Sequence, residues 1–211
     1  MKGERAFKKI LRKVPNDYYQ TGNFLQRLWH GGKWQVVGSL LNKKDNKILD
    51  VGCAGGYSTL KISQVVPEAK LTGIDIDGEF IYFARERYPG FRFLVADAER
   101  LPFRSRSFDA VVCTEVIEHL AAPEKMIEEV WRVLKPKGKF ILEVDTESFL
   151  FRTIWFFWIR IGPGKPWRGS HLTQFSISDL EKLLLGNGFR IKKKRIFNLG
   201  MAVAFLAIKR R

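Results

Sequence analysis

Lys47-Ile48-Leu49-Asp50-Val51-Gly52-Cys53-Ala54-Gly55-Gly56-Tyr57 passes from an apolar run through an acid into a cluster of glycines, and the helix-compatible segment Ser58–Val66 follows at once. A buried strand that breaks into glycines before a helix is how a nucleotide-like ligand site is built at the end of a parallel strand. Gly52 and Gly56 let the backbone turn tightly and approach a ligand without a Cβ in the way. Many α/β proteins have a glycine-rich first turn, so the residues downstream decide what this one binds.

The stretch after it keeps the same rhythm. Candidate strands are Lys47–Val51, Leu71–Asp75, Phe91–Val95, Phe108–Thr114 and Lys139–Val144, with helical patterns at Ser58–Val66, Gly78–Tyr88 and Pro123–Leu134 between them. In the last helix Met126, Ile127, Val130, Val133 and Leu134 share one face, and Lys135-Pro136-Lys137-Gly138 stops it. Strands alternating with helices predict a parallel sheet with right-handed crossovers. Toward the end, Ser178–Leu185 reads as a helix with Ser178 as N-cap. Phe189–Phe197 and Met201–Ile208, joined by Asn198-Leu199-Gly200, read as an antiparallel hairpin at the sheet edge. Lys192-Lys193-Lys194-Arg195 on the first of these strands is the kind of charge that guards an open edge.

Two segments stand outside this rhythm. Residues 1–47 open with a basic helical segment stopped at Pro15-Asn16, and a second helical pattern runs from Asn23 to Leu41, with a kink or break expected at Gly31-Gly32. Within it Tyr18, Tyr19, His30 and Trp34 either form a lid over a ligand or, the better expectation, mostly rest on the core. The second segment, Phe149–Ile161, is crowded with large apolar groups, Trp155 and Trp158 among them, and Gly162-Pro163-Gly164 closes it. It is too short to span a bilayer. A helix lining an acceptor pocket, an extra core helix and an interfacial patch beside basic residues are the three readings, in that order.

At 211 residues and 45% apolar content the chain fits one domain with a sizeable core. Its +15 charge is uneven. Residues 1–47 carry 11 basic and 3 acidic groups, residues 48–148 carry 13 and 17, and residues 149–211 carry 13 and 2. Basic flanks around a mildly acidic centre suit a polyanion or an anionic membrane surface, although a lysine-rich solvated surface explains them as well. Two cysteines, Cys53 and Cys113, without framework spacing point to a reduced, cytoplasmic setting. Met1–Lys13 lacks the apolar run of a signal peptide, and no 18-residue apolar run exists.

Three acids fall at the ends of three successive strands. Asp50 makes a pyrophosphate a poor guest and a cation a better one, which favours S-adenosylmethionine, with its ammonium and sulfonium, over NAD. Asp75, 23 residues after Gly52, can accept both hydroxyls of an adenosine ribose. Asp97 can accept from the adenine amino group while the Ala98 amide donates to a ring nitrogen. Asp77 is expected as the N-cap of the next helix.

The chain resembles the class I S-adenosylmethionine-dependent methyltransferases, in their ubiquinone/menaquinone-biosynthesis-like branch, from about Ile48 to Ile208. The matching stretches are Leu49-Asp50-Val51-Gly52-Cys53-Ala54-Gly55-Gly56, Gly73-Ile74-Asp75-Ile76-Asp77, Ala96-Asp97-Ala98-Glu99-Arg100-Leu101-Pro102-Phe103, Ser107-Phe108-Asp109-Ala110-Val111-Val112-Cys113, Glu115-Val116-Ile117-Glu118-His119-Leu120 and Arg132-Val133-Leu134-Lys135-Pro136-Lys137-Gly138. Ala54 stands where the family usually has glycine. The resemblance implies a Rossmann-like three-layer α/β fold with seven mostly parallel strands, the hairpin giving the one antiparallel strand. The chain is expected to divide into an N-terminal helical cap or lid over residues 1–46 and a methyltransferase domain over 47–211 with an aromatic insertion at about 149–168. Cofactor contacts would come from Asp50, Gly52, Cys53, Ala54, Gly56, Asp75, Ile76, Asp97, Ala98 and Thr114.

Glu115, Glu118 and His119 follow the fourth strand, where an acceptor would meet the sulfonium. His119 is the best general base, since its pKa lies near neutrality. With His171 these three also offer a divalent-metal donor set, which a similar cluster in RNA 3′-end 2′-O-methyltransferases resembles, but the expected state is without metal. The expected reaction moves a methyl group to an oxygen, nitrogen or carbon nucleophile of an apolar, lipid- or quinone-like small molecule. Tyr18, Tyr19, His30, Trp34, Trp155, Trp158 and His171 would line the acceptor's side. An RNA or protein acceptor reached through the basic flanks, and a cofactor-binding protein without turnover, are the alternatives. Monomer and homodimer both fit the sequence.

Overall fold

The structure is a computed structural model that describes residues 24–146, 148–160 and 172–210, with the side chains of residues 24–31, 149 and 150 set aside. Seven strands are present: β1 (Lys47–Val51), β2 (Lys70–Asp75), β3 (Arg92–Val95), β4 (Phe108–Thr114), β5 (Leu134–Asp145), β6 (Phe189–Phe197) and β7 (Ala202–Lys209). The helices are α1 (Phe24–Leu40), α2 (Tyr57–Val65), α3 (Gly78–Arg87), α4 (Pro123–Val133), α5 (Phe149–Arg160) and α6 (Ile177–Gly186).

The strands form one sheet in the order β3-β2-β1-β4-β5-β7-β6, and only β7 runs against its neighbours. The expected mostly parallel sheet with a terminal antiparallel hairpin is therefore present. From β3 at one edge the chain crosses back to place β4 beside β1. At such a reversal the connections leaving β1 and β4 diverge to opposite sides, and a crevice opens at their carboxyl ends.

Alternate residues of the central strands serve opposite layers, because side chains on a strand alternate in direction. Leu49, Val51, Val111, Cys113, Phe140 and Leu142 meet Met126, Ile127 and Val130 of α4 and Leu180 and Leu184 of α6. Ile48, Ala110, Val112 and Ile141 face the other way, onto Ile62 of α2 and Val37 and Leu40 of α1. Burial on both faces explains why these strands read as continuous apolar runs.

Three local expectations are corrected. First, α1 continues through Gly31-Gly32 without a break. Glycine costs a helix interior about 1 kcal/mol, but Val37 and Leu40 anchor this helix in the core, and a Cβ at Gly32 would lie 3.2 Å from Asn198 Oδ1, so the small residue permits a close approach. Second, Lys135–Gly138 ends α4 as expected, yet the chain is already in β5. The ladder with β4 skips from Phe108↔Leu134 to Ala110↔Lys139, and Lys137 takes φ 62° in the resulting bulge. Third, the N-cap of α6 is Ser176, not Ser178. Ser176 Oγ accepts from the Asp179 amide at 3.2 Å while Asp179 Oδ2 accepts from the Ser176 amide at 3.2 Å, a reciprocal box that Ser178, already inside the helix, cannot make. Replacing Ser176 with alanine is expected to lower stability by about 1 kcal/mol, read as a shifted urea midpoint at unchanged slope.

Candidate active site at the carboxyl ends of the strands

The turn after β1 is left-handed at Gly52 (φ 74°), Ala54 (φ 43°) and Gly56 (φ 85°). Backbone from β2 fixes it: the Gly52 and Cys53 amides both donate to Ile74 O, at 2.8 and 2.9 Å, and the Ala54 amide donates to Asp75 Oδ2 at 2.9 Å. Ala54 holds a conformation that costs an L-residue about 1–2 kcal/mol, and it is the residue where this chain departs from the usual glycine.

The three strand-end acids are in different states. Asp50 is 2% exposed, and Oδ2 accepts from Ser58 Oγ and Thr59 Oγ1, both at 2.6 Å. Burial pushes its carboxyl up to about 6 against those two hydroxyls. Its Oδ1 is buried with no hydrogen-bond partner among the described residues. Asp75 accepts from two amides, Ala54 on Oδ2 and Asp77 on Oδ1, each at 2.9 Å, and burial pushes it to about 6 as well. Asp97 is exposed, its Oδ1 accepting from the Glu99 amide at 2.8 Å. Asp77 caps α3, accepting from the Glu79 amide at 2.8 Å. Cys53, Ala98 and Thr114 are buried, and Ile76 is half-buried.

Beyond β4 the acids converge differently from the sequence expectation. Glu115 is left-handed (φ 54°), and its amide donates to Glu143 O at 3.1 Å. Its carboxylate gathers with those of Glu143 and Asp145, one oxygen of each lying within 4.8 Å of the others. Among the described residues this is the converging acidic set; Glu118 and His119 do not join Glu115 in it. Lys33 of α1, 3% exposed, places Nζ 2.8 Å from Glu115 Oε2. Burial works against the lysine's charge, but Glu115 and then Glu143 outweigh it and its pKa is raised. Glu118 is buried, which pushes its carboxyl up to about 8. Its carbonyl accepts from the Leu172 and Thr173 amides at 2.9 and 3.1 Å, tying that segment to the loop after β4. His119, half-buried, ends the short 3-10 turn Ile117–His119.

A family profile described as "Methyltransferase domain" matches residues 49–142, the span that runs from β1 through the glycine turn and β4 into β5, ending just before Glu143. That span is similar to a methyltransferase domain. A demethylmenaquinone methyltransferase of Chlorobaculum tepidum is 32% identical over 143 residues, covering 63% of this chain and 59% of that protein. A fatty-acid O-methyltransferase of Mycolicibacterium smegmatis is 34% identical over 97 residues, 45% of this chain and 35% of that protein. The chain thus aligns with less than two thirds of either relative's length. In structure, a chain of the Haloferax volcanii complex between the Trm112 methyltransferase activator and a methyltransferase superimposes with a TM-score of 0.79, covering 97% of this chain and 98% of that one at 17% identity, which establishes the shared fold.

The residues present fit S-adenosylmethionine, the cofactor that the sequence resemblance implies. The buried, unpartnered Oδ1 of Asp50 suits an ammonium, and each oxygen of Asp75 keeps a second lone pair for a ribose hydroxyl after taking its amide. Both carboxyls titrate near 6, and a cation or a donating hydroxyl favours their ionised forms. Cofactor affinity is therefore expected to rise as pH rises from 5 to 7, measured by calorimetry. Stability of the free protein moves the other way. A carboxyl whose folded pKa lies above its unfolded value holds its proton more tightly in the fold, so stability falls as pH rises from about 4 to about 6.

Of the acceptor-side residues, Trp34 rests partly buried on the core cluster of Val37, Leu40 and Ile62. Trp155 and Trp158 are half-buried on α5, Trp155 stacked on Phe151 at 5.6 Å. Tyr18, Tyr19 and His171 lie outside the described residues, as does the side chain of His30. Sequence reasoning missed Lys33, Glu143, Asp145, Ser58 and Thr59. The signal for the first three was there: Lys33 shares a helix face with Val37 and Leu40, and Glu143 and Asp145 share a face of an otherwise apolar strand end.

Proposed function

We propose that the chain transfers a methyl group from S-adenosylmethionine to an oxygen, nitrogen or carbon nucleophile of an apolar, lipid- or quinone-like small molecule. The observation that carries the substrate class is α5. Beside the half-buried Trp155 and Trp158 it leaves Ile154, Phe156 and Phe157 at 46%, 45% and 53% exposure, an apolar surface a polar acceptor would not use. The two relatives named for quinone and fatty-acid methylation support the same class.

When bound, the cofactor supplies a methyl carbon made electrophilic by a sulfonium. Asp50 holds cationic charge, Asp75 and Asp97 orient the adenosine, and the glycine turn keeps β-carbons out of the way. His119, with Glu115 and Glu118 beside it in sequence, takes the proton of a hydroxyl acceptor. Residues 1–46 act as a cap on this centre, and the protein works in the cytoplasm; among the described residues no helix is long and apolar enough to cross a membrane.

A second reading has its own observation. Lys192, Lys193, Lys194 and Arg195 stand exposed along the sheet-edge strand β6, a row that suits an RNA backbone as well as edge protection. Incubation with methyl-labelled cofactor, lysate lipids and total RNA separates the two. Label in the solvent-extractable fraction supports the small-molecule reading, label in RNA the second, and label in neither contradicts both.

A further inference from the structure

We infer that the methyl acceptor carries a protonated amine, received where Glu143 and Asp145 meet beside the Lys33–Glu115 ion pair. This deepens the small-molecule reading proposed above and rests on it. The carboxylates come from different elements: Glu115 from the turn after β4, Glu143 and Asp145 from one face of the end of β5. Glu143 lies opposite Thr114, the last residue of β4, so the group sits at the mouth of the crevice beside the cofactor's strands.

Hydrogen bonding is incomplete there among the described residues. Lys33 acts on all three acids and on Glu118. Glu143 is 1% exposed, its carboxylate reaches into the group, and its Oε2 has no hydrogen-bond partner among the described residues. Asp145 Oδ1 and Glu118 Oε2 are orphaned in the same way. A buried acceptor atom left unmade costs about 1–3 kcal/mol, more when charged. An ammonium brings three donors for these oxygens, and its positive charge favours the ionised form of each carboxyl it meets. Burial, the largest cause, holds Glu143 and Asp145 well above the usual carboxylate range, so both keep their protons near neutrality and a bound ammonium would draw them into the ionised form. Lys33 itself shows that the place accepts an ammonium on an apolar stem, and the aromatic surface of α5 would take the apolar body of such an acceptor.

The test compares n-octylamine with n-octanol, which share an apolar body, by calorimetry on the whole chain saturated with S-adenosylhomocysteine at pH 7.5. The amine is expected to bind at least tenfold more tightly than the alcohol. Glu143→Gln, and separately Asp145→Asn, are expected to remove that preference while S-adenosylhomocysteine still binds, which also shows the variants fold. Equal binding of amine and alcohol, or an amine preference that survives both variants, overturns the proposal. So does a Glu143→Gln protein that loses affinity for S-adenosylmethionine but keeps it for S-adenosylhomocysteine, since the acids then serve the sulfonium. Methylation of neutral lipids without any amine preference leaves the small-molecule reading standing and this inference refuted.

Discussion

Replacing Asp75 with alanine is expected to weaken binding of S-adenosylmethionine by at least about a hundredfold. The carboxylate would accept two ribose hydroxyls, and hydrogen bonds to a charged acceptor contribute about 1.5–3 kcal/mol each. Two of them account for the factor and more, at about 1.4 kcal/mol per tenfold. The same side chain anchors the glycine turn through the Ala54 amide and the start of α3 through the Asp77 amide, so alanine also loosens the backbone around the ligand. Asp75→Asn separates the contributions. Its one remaining carbonyl oxygen can replace only part of the set, so an intermediate affinity is expected, with a melting temperature nearer the parent's. Calorimetry with each variant reads the affinity, and thermal melts without ligand read the structural share.

Gly52→Val is expected to be more damaging still, to the fold itself. Even a bare Cβ at Gly52 would lie 2.1 Å from Val116 Cγ2, and the position holds φ 74°. Left-handed backbone costs an L-residue about 1–2 kcal/mol, and overfilling a tight site adds about 1–3. Already for Gly52→Ala the loss comes to about 3 kcal/mol, a large part of a domain's stability. The β-branched valine adds bulk toward Val116, next to the left-handed Glu115, so relief on one side disturbs the acceptor side. A fall in melting temperature of 10 °C or more, or insoluble expression, is the expected result. A variant that melts like the parent would show that the turn is not shaped as described.

The cofactor half was legible in the chain because its determinants are local. Glycines at turns, acids at strand ends and the alternation of strand with helix are short-range signals, and that alternation was enough to predict a mostly parallel sheet, though not its strand order. Asp77 as a helix cap was readable for the same reason. Ser176 was not singled out because two serines two residues apart both fit a cap pattern, and the distinction rests on which one Asp179 reaches back to. The acceptor half depends on tertiary placement. Lys33 is more than eighty residues from Glu115 and Glu143 a further twenty-eight away, and only docking of α1 and the β4–β5 register bring them together. Charges inside apolar stretches were the visible trace, and their meaning appears only when several meet. His119 remained the obvious candidate because it lies in a local motif, whereas the converging carboxylates lie on separate elements.

The claim on which the rest depends is that one adenosine-bearing cofactor lies across the carboxyl ends of β1, β2 and β3 in the grip of Asp50, Asp75 and Asp97. Calorimetric titration of the whole chain with S-adenosylmethionine at pH 5 and pH 7 tests it directly. A single saturable site per chain, tighter at pH 7, is the predicted result. Absence of heat at both pH values, together with an unmoved melting temperature at millimolar cofactor, would contradict it.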